Sequence, residues 1–232
     1  LFKIKEVYDR LELVTDPEID RPLPELGFIE DVEINGKSVM VGFRLPTYWC
    51  SPNFAFIMAE DIRDEVSELP WVTQVEINLI EHSESEKVNR GVNSFYSFEE
   101  MFSDKTDGTG LNELRHIFKV KAFYGRQERL LRYLLKNDRS KEDILELTKQ
   151  TLIPFTRNDR TLEELMKSYL NIREKLNLDN SKTVKLITDE FGKPLTIEQF
   201  NDHLLHARRS RLTMEFNGHY CQTLLQTRYS LS

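Results

Sequence analysis

The stretch FIEDVEINGKSVMVGFRL, residues 28–45, decides the fold of the N-terminal part. Phe28 to Ile34 has the make-up of a strand. Asn35-Gly36 follows, a pair that tolerates positive φ at both positions and so marks a hairpin turn. Val39, Val41, Phe43 and Leu45 then alternate with other residues, the period of a half-buried strand. On the N-terminal side, Ile4 to Leu13 places Ile4, Val7, Tyr8 and Leu11 at helical spacing. It stops before Asp16-Pro17, since a proline disfavours helix at the residue before it. On the C-terminal side, Pro46 to Asn53 reads as a loop. Phe54, Ile57, Met58, Ile62, Val66 and Leu69 trace one helical face, and Val72 to Leu79 returns to strand. The order is helix, hairpin, helix, strand. The expected fold class is α+β, with a small N-terminal domain over residues 1–82.

Residues 83–110 are polar and read as a linker holding one short helix near Phe98 to Phe102. Residues 111–232 read as a mainly α-helical domain. Helices are expected at Leu111 to Leu135 (with a bend at Gly125), Lys141 to Thr151, Thr161 to Leu176 and Thr196 to Arg211. Thr161 with Glu164, and Thr196 with Gln199, have capping-box spacing. Val184 to Ile187 is a candidate strand.

The chain has 232 residues, 39% hydrophobic and 31% charged, which suits a folded protein rather than a disordered one. No apolar run is long enough to span a bilayer and no signal segment is visible, so a cytoplasmic location without a membrane partner is expected. The two cysteines, Cys50 and Cys221, read as free thiols. Residues 1–82 carry 7 Lys/Arg against 17 Asp/Glu. That acidity argues against a nucleic-acid partner, because phosphate binding needs clustered cations. The basic stretch Leu111 to Lys141 has 9 Lys/Arg against 3 Asp/Glu, but its aromatic residues fall at core spacing.

Cys50 stands between a strand and a helix, with Ser51 as the expected N-cap and Pro52 at the first helical position. A thiol beside a helix N-terminus meets exposed N–H groups and the positive end of the dipole, both of which favour thiolate. A buried inert cysteine is the other reading. Asp16 and Glu18 flank Pro17 in a loop. They read either as a plain turn or as carboxylates carried to Cys50, where oxygen and sulfur together suit iron or zinc. Tyr48 and Trp49 are large for a loop, and either bind a partner or cap the core. His203, His206, His219 and Cys221 form a second chemically sensible metal set, although a solvated helix face explains them as well.

Taken in order, Asp16-Pro17-Glu18, Glu25 to Ile29, Val39 to Leu45, Thr47 with Cys50, and Leu69-Pro70-Trp71-Val72 with Val75, Ile77 and Leu79 resemble the metal–sulfur cluster assembly family, the PaaD-like and SufT-like proteins. The resemblance covers about the first third of the chain. It implies an accessory factor in maturing iron–sulfur or other iron proteins. Cys50 would be the reactive cysteine, Asp16 and Glu18 the acidic positions, and Thr47 and Ser51 loop support. Only Tyr48 and Trp49 separate Thr47 from Cys50, and Ser51 stands before Pro52. The family pattern has three intervening residues and a proline directly after the cysteine.

The resulting expectation is delivery rather than turnover, with no catalytic residue assigned. Cys50 would hold iron or an iron–sulfur cluster transiently, helped by Asp16 or Glu18, and pass it to a client apo-metalloprotein or take it from a scaffold protein. A site shared across a homodimer is one way to complete the ligand set. The alternative is a metal-free scaffold or chaperone for a multicomponent iron oxygenase. A thiol enzyme is a third class, but it needs a base, and the nearest histidine in sequence is His82.

Overall fold

The computed structural model describes residues 2–104 and 110–229. They form two compact units, Leu1–Arg115 with Phe216–Ser232, and His116–Glu215. The fold class is α+β, with all named strands in the first unit and a mainly helical remainder. Among the described residues, no helix is long and apolar enough to cross a membrane.

In the first unit, helix α1 (Phe2–Leu11) and the short α2 (Leu23–Leu26) precede the hairpin β1 (Ile29–Asn35) and β2 (Ser38–Arg44). The turn forms at Gly36, with φ 65°. Helix α3 (Pro52–Ser67) then crosses over to β3 (Gln74–Ile80). The sheet order is β1-β2-β3, antiparallel in the first pair and parallel in the second. Strand β2 is central. Its Val39, Val41 and Phe43 point into a core shared with Ile77 and Leu79 of β3, Ala55, Ile62 and Val66 of α3, and Val7 and Leu11 of α1. The period-2 and period-3.6 apolar patterns therefore meet on one sheet face, which is what drives this part together. Strand β1 stays half exposed and carries Glu30 and Glu33 outward, charges that discourage pairing at a sheet edge.

The polar stretch after β3 contains more than the short helix expected near residue 98. It forms α4 (Ser85–Asn93) and α5 (Phe98–Met101), with Val88, Val92, Phe98 and Phe102 in the first core; its residues 105–109 lie outside the described residues. Polarity misleads here because α4 closes the open edge of β3 with side chains. Asn93 accepts from the N–H of Ile77 at 2.8 Å and donates to its carbonyl at 2.9 Å. Asn89, one turn earlier, does the same to Leu79 at 2.7 and 3.1 Å. Two asparagines thus stand in for a fourth strand.

Helices α6 (Gly110–Lys136) and α10 (Ile197–Tyr229) each run through both units in sequence. The second unit contains α7 (Lys141–Leu145), α8 (Lys149–Thr156) and α9 (Arg160–Lys175). Several local expectations need correction. The single helix expected over 141–151 is two, because Thr148 starts a new capping box with Thr151. The cap of α9 is Asp159, whose carboxylate accepts from the N–H of Leu162, rather than Thr161. Val184 to Ile187 forms no strand; isolated bridges pair Lys185 with Thr148 and Thr188 with Pro194. Gly125 lies within continuous helix. A Cβ there would fall 2.2 Å from the Met214 Cε, so the glycine serves close packing of α10 on α6. The last expected helix continues well past Arg211, to Tyr229.

Removing the edge cover should be felt in stability. Asn93→Ala leaves the Ile77 N–H and C=O without protein partners and should lower unfolding free energy by about 1–3 kcal/mol. A shift of the urea midpoint at unchanged slope is the expected result.

Candidate functional site

Strand direction places the site. Because β2 and β3 are parallel, the segments leaving both lie at one end of the sheet. Because β1 is antiparallel to β2, the segment entering β1 lies at that same end. The Asp16 loop, the Cys50 loop and the His82 turn are those three segments. Ligand sites in sheets with parallel strands favour this end.

The Asp16 loop is a tight polar turn. The carboxylate Oδ1 accepts the N–H groups of Glu18 and Ile19, each at 2.9 Å. Asp20 closes the turn by donating its N–H to the Asp16 carbonyl at 2.9 Å, in the left-handed region at φ 57°. Aspartate tolerates that conformation better than most residues. Asp16 is only 6% exposed. Both of its side-chain hydrogen bonds fall on Oδ1, and Oδ2 accepts none among the described residues. Burial outweighs the two N–H donors and, with the nearby Glu18 charge, pushes the carboxyl up to about 6.

Cys50 is half-buried, ahead of α3. Its sulfur lies 3.3 Å from the Thr47 hydroxyl oxygen, which also accepts the Trp49 N–H at 3.3 Å. Thr47, which the resemblance implied as loop support, is therefore in contact with the thiol. Pro52 opens the helix as expected. Ser51 occupies the N-cap position without a side-chain capping bond, and its carbonyl accepts the N–H groups of Phe54 and Ala55 at 3.1 Å. Tyr48 and Trp49 both face outward, packed edge to face with centroids 4.9 Å apart; Trp49 is 78% exposed.

His82 joins this loop to the turn after β3, a role that sequence reasoning missed. Its Nδ1 accepts the Glu84 N–H at 3.1 Å, so the proton resides on Nε2, which donates to the Cys50 carbonyl at 2.8 Å. The Ser83 N–H adds a bond to the Tyr48 carbonyl at 2.9 Å. With both ring nitrogens committed to backbone, His82 is a brace for the loop. The signal for it was the parallel pairing itself, which brings the ends of β2 and β3 together.

The end of α10 covers the same region. Gly218, Cys221, Gln222, Leu225 and Arg228 recur at helical spacing along one face. Gly218 meets the Asp16 loop: a Cβ there would fall 2.9 Å from Ile19 Cγ2. Gln222 accepts from Arg21 at 3.1 Å and donates to the Glu25 carbonyl at 3.3 Å. Leu225 is buried in the first core. Arg228 donates to the Leu45 carbonyl at 3.2 Å and the Glu81 carbonyl at 2.6 Å, binding the ends of β2 and β3 from outside. Cys221, half-buried, is thereby carried to the site, and feels the charges of Asp16, Cys50 and Glu18. Burial first, and those charges second, push its thiol up to about 11.

The C-terminal histidines go elsewhere. His203 and His206 lie in the second unit against the Tyr124 ring, at 5.4 and 4.5 Å between centroids. His203 Nε2 donates to Gln127 Oε1, part of a buried network with Tyr169, Arg173 and Thr188. Burial and the neighbouring His206 charge hold its imidazole below the usual value. His219 is exposed on α10. The set His203, His206, His219 and Cys221 is thus divided between the units. Among the described residues, no three His, Cys, Asp or Glu side chains stand ready as a metal-holding group.

Asp16 gives a pH signature. Its folded value, about 6, lies above the ordinary 3.8. Its stabilising contribution is therefore complete below pH ~4 and is lost as pH rises through ~6. Asp16→Asn keeps an oxygen for the two N–H donors and removes the buried charge. At pH 7.5 it should be more stable than the parent by on the order of 2 kcal/mol, with the difference vanishing near pH 4. Paired denaturant titrations at the two pH values check this; a less stable variant at pH 7.5 contradicts it.

No curated protein matches the chain. Residues 4–77, which contain the Asp16 loop, the Cys50 loop and most of the sheet, match the family model described as iron-sulfur cluster assembly protein, and a general role in iron–sulfur cluster assembly follows for this domain, with the rest of the chain outside the match.

Proposed function

We propose that the protein carries iron or an iron–sulfur cluster transiently on Cys50 and hands it to a client apo-metalloprotein. The observation that supports this reading is a half-buried thiol in a loop braced at the end of the parallel strands, inside the segment that matches the assembly family. Burying Asp16, which raises its carboxyl to about 6, works against stability at neutral pH, and such conflicts concentrate at functional sites. Sulfur with oxygen suits iron. Release follows by ligand exchange, in which client cysteines replace Cys50 around the cargo. This is transfer and not turnover, so no catalytic residue is assigned.

Trp49 favours a companion role for the same loop. An indole 78% exposed, stacked edge to face on Tyr48 and directly preceding the thiol, has the make-up of an interface anchor. We assign Tyr48 and Trp49 to client or scaffold recognition, in a cytoplasmic setting. A docking protein without metal chemistry would use this surface and leave the thiol idle.

Anaerobic titration with iron and sulfide separates the two readings. Visible cluster bands in the parent and none in Cys50→Ala are expected. Equal bands in both would overturn Cys50 as the ligand, and no bands in either would overturn carriage and leave docking. Trp49→Ala should leave cluster loading unchanged and slow transfer to the client by about tenfold or more, the size expected for loss of an aromatic anchor.

A further inference from the structure

The asparagine cover on β3 stops one step short of the strand's start. Asn89 completes Leu79 and Asn93 completes Ile77 at the outer edge. Backbone groups alternate in direction along a strand, so the N–H and carbonyl of Val75 point to that same edge. Among the described residues they have no hydrogen-bond partner there. The same spacing continued would bring position 97 opposite Val75, but α4 ends at Asn93 and Ser97 caps α5 instead. A Schellman motif closes α4: the Tyr96 N–H bonds to the Gly91 carbonyl at 2.9 Å and the Phe95 N–H to the Val92 carbonyl at 3.3 Å. The left-handed residue of that motif, usually glycine, is Phe95, at φ 59°. Its ring is 78% exposed. Val75, Asn93 and Phe95, with Arg63 and Ser67 of α3, line one open cavity of about 550 Å³. Arg63 stacks on the Phe95 ring at 4.7 Å and is ion-paired with Asp64 at 2.8 Å. Glu76, exposed at the same cavity, has no ion pair among the described residues.

We propose that this cleft binds an extended basic peptide segment of a partner protein, which adds to the edge of β3 at Val75. The open N–H and carbonyl call for a peptide backbone, one residue of which exchanges both bonds with Val75, as when a strand is added to a sheet edge. Alternation then sets the side chains. The residue paired with Val75 turns to the helix side of the sheet, toward Arg63, Ser67 and Phe95, where an aromatic or large apolar group fits. Its neighbours lie on the other face, beside Glu76, where Lys or Arg is complementary in charge. Residues 1–82, with 7 Lys/Arg against 17 Asp/Glu, attract the same sign of partner. The recognised pattern is therefore basic–apolar–basic in an extended chain. The cleft lies at the start of β3, whereas the Cys50 loop adjoins the strand's other end. The inference makes no use of Cys50, so it stands or falls apart from the carrier reading.

Amide spectra of the isotopically labelled full chain test this, with acetyl-Lys-Lys-Phe-Lys-Lys-amide as the probe. The expected shifts centre on Val75, Asn93 and Phe95. Methylating the backbone nitrogen of the probe's phenylalanine keeps every charge but removes the pairing N–H, and should weaken binding about tenfold. Glu76→Lys should move the preference to the probe that carries Glu in place of Lys. Phe95→Gly keeps the left-handed cap without a side chain to strain it, so it should raise the thermal midpoint while weakening the probe about tenfold. No shift at Val75 would overturn the proposal. So would equal binding of the methylated probe, which would mean general attraction to an acidic surface. A Phe95→Gly chain that binds the probe as the parent does would also overturn it.

Discussion

The parallel pairing of β2 with β3 is the constraint from which the functional geometry follows. Register places Phe43 beside Leu79 and Arg44 beside Ile80, so the two strands end together. What leaves them must then meet: the Cys50 loop from one and the His82 turn from the other. The hairpin adds the third participant, since β1 starts where β2 stops and the Asp16 loop leads into it. A core of Val39, Val41, Phe43, Ile77 and Leu79 holds the pairing. The site is rigid at its base because it is the end of that core.

Polar groups then fix the loops individually. His82 is braced in one tautomer between the Glu84 N–H and the Cys50 carbonyl, and Asp16 gathers two N–H groups on a single oxygen. Strain is placed close by. Asp20 and Glu81, which flank the Asp16 turn and His82, both adopt positive φ. The end of α10 adds the outer wall, with Arg228 bridging the carbonyls of Leu45 and Glu81.

The sheet, its order of elements and the placement of Cys50 before a helix were legible in the sequence, because alternation, the Asn35-Gly36 turn and the Pro52 start are local signals. Thr47 was legible through the family resemblance as a loop position, but its contact with the sulfur was not. The edge cover by Asn89 and Asn93 was not, since asparagines at helical spacing look like a solvated face until an open strand lies opposite them. Ser51 at the cap was legible as a position but not as an interaction: its hydroxyl makes no capping bond. His82 became readable only once the strands were known to be parallel. Cys221 carried no local signal of where it lies, because the helix that bears it packs on the first unit's core and the Asp16 loop through Leu225 and Gly218.

That Cys50 holds the cargo, as proposed, is the central claim, and protection of its thiol tests it most directly. The account predicts that iron and sulfide added anaerobically shield Cys50 from later alkylation by iodoacetamide. Alkylation of Cys50 at the rate of the untreated chain would contradict it.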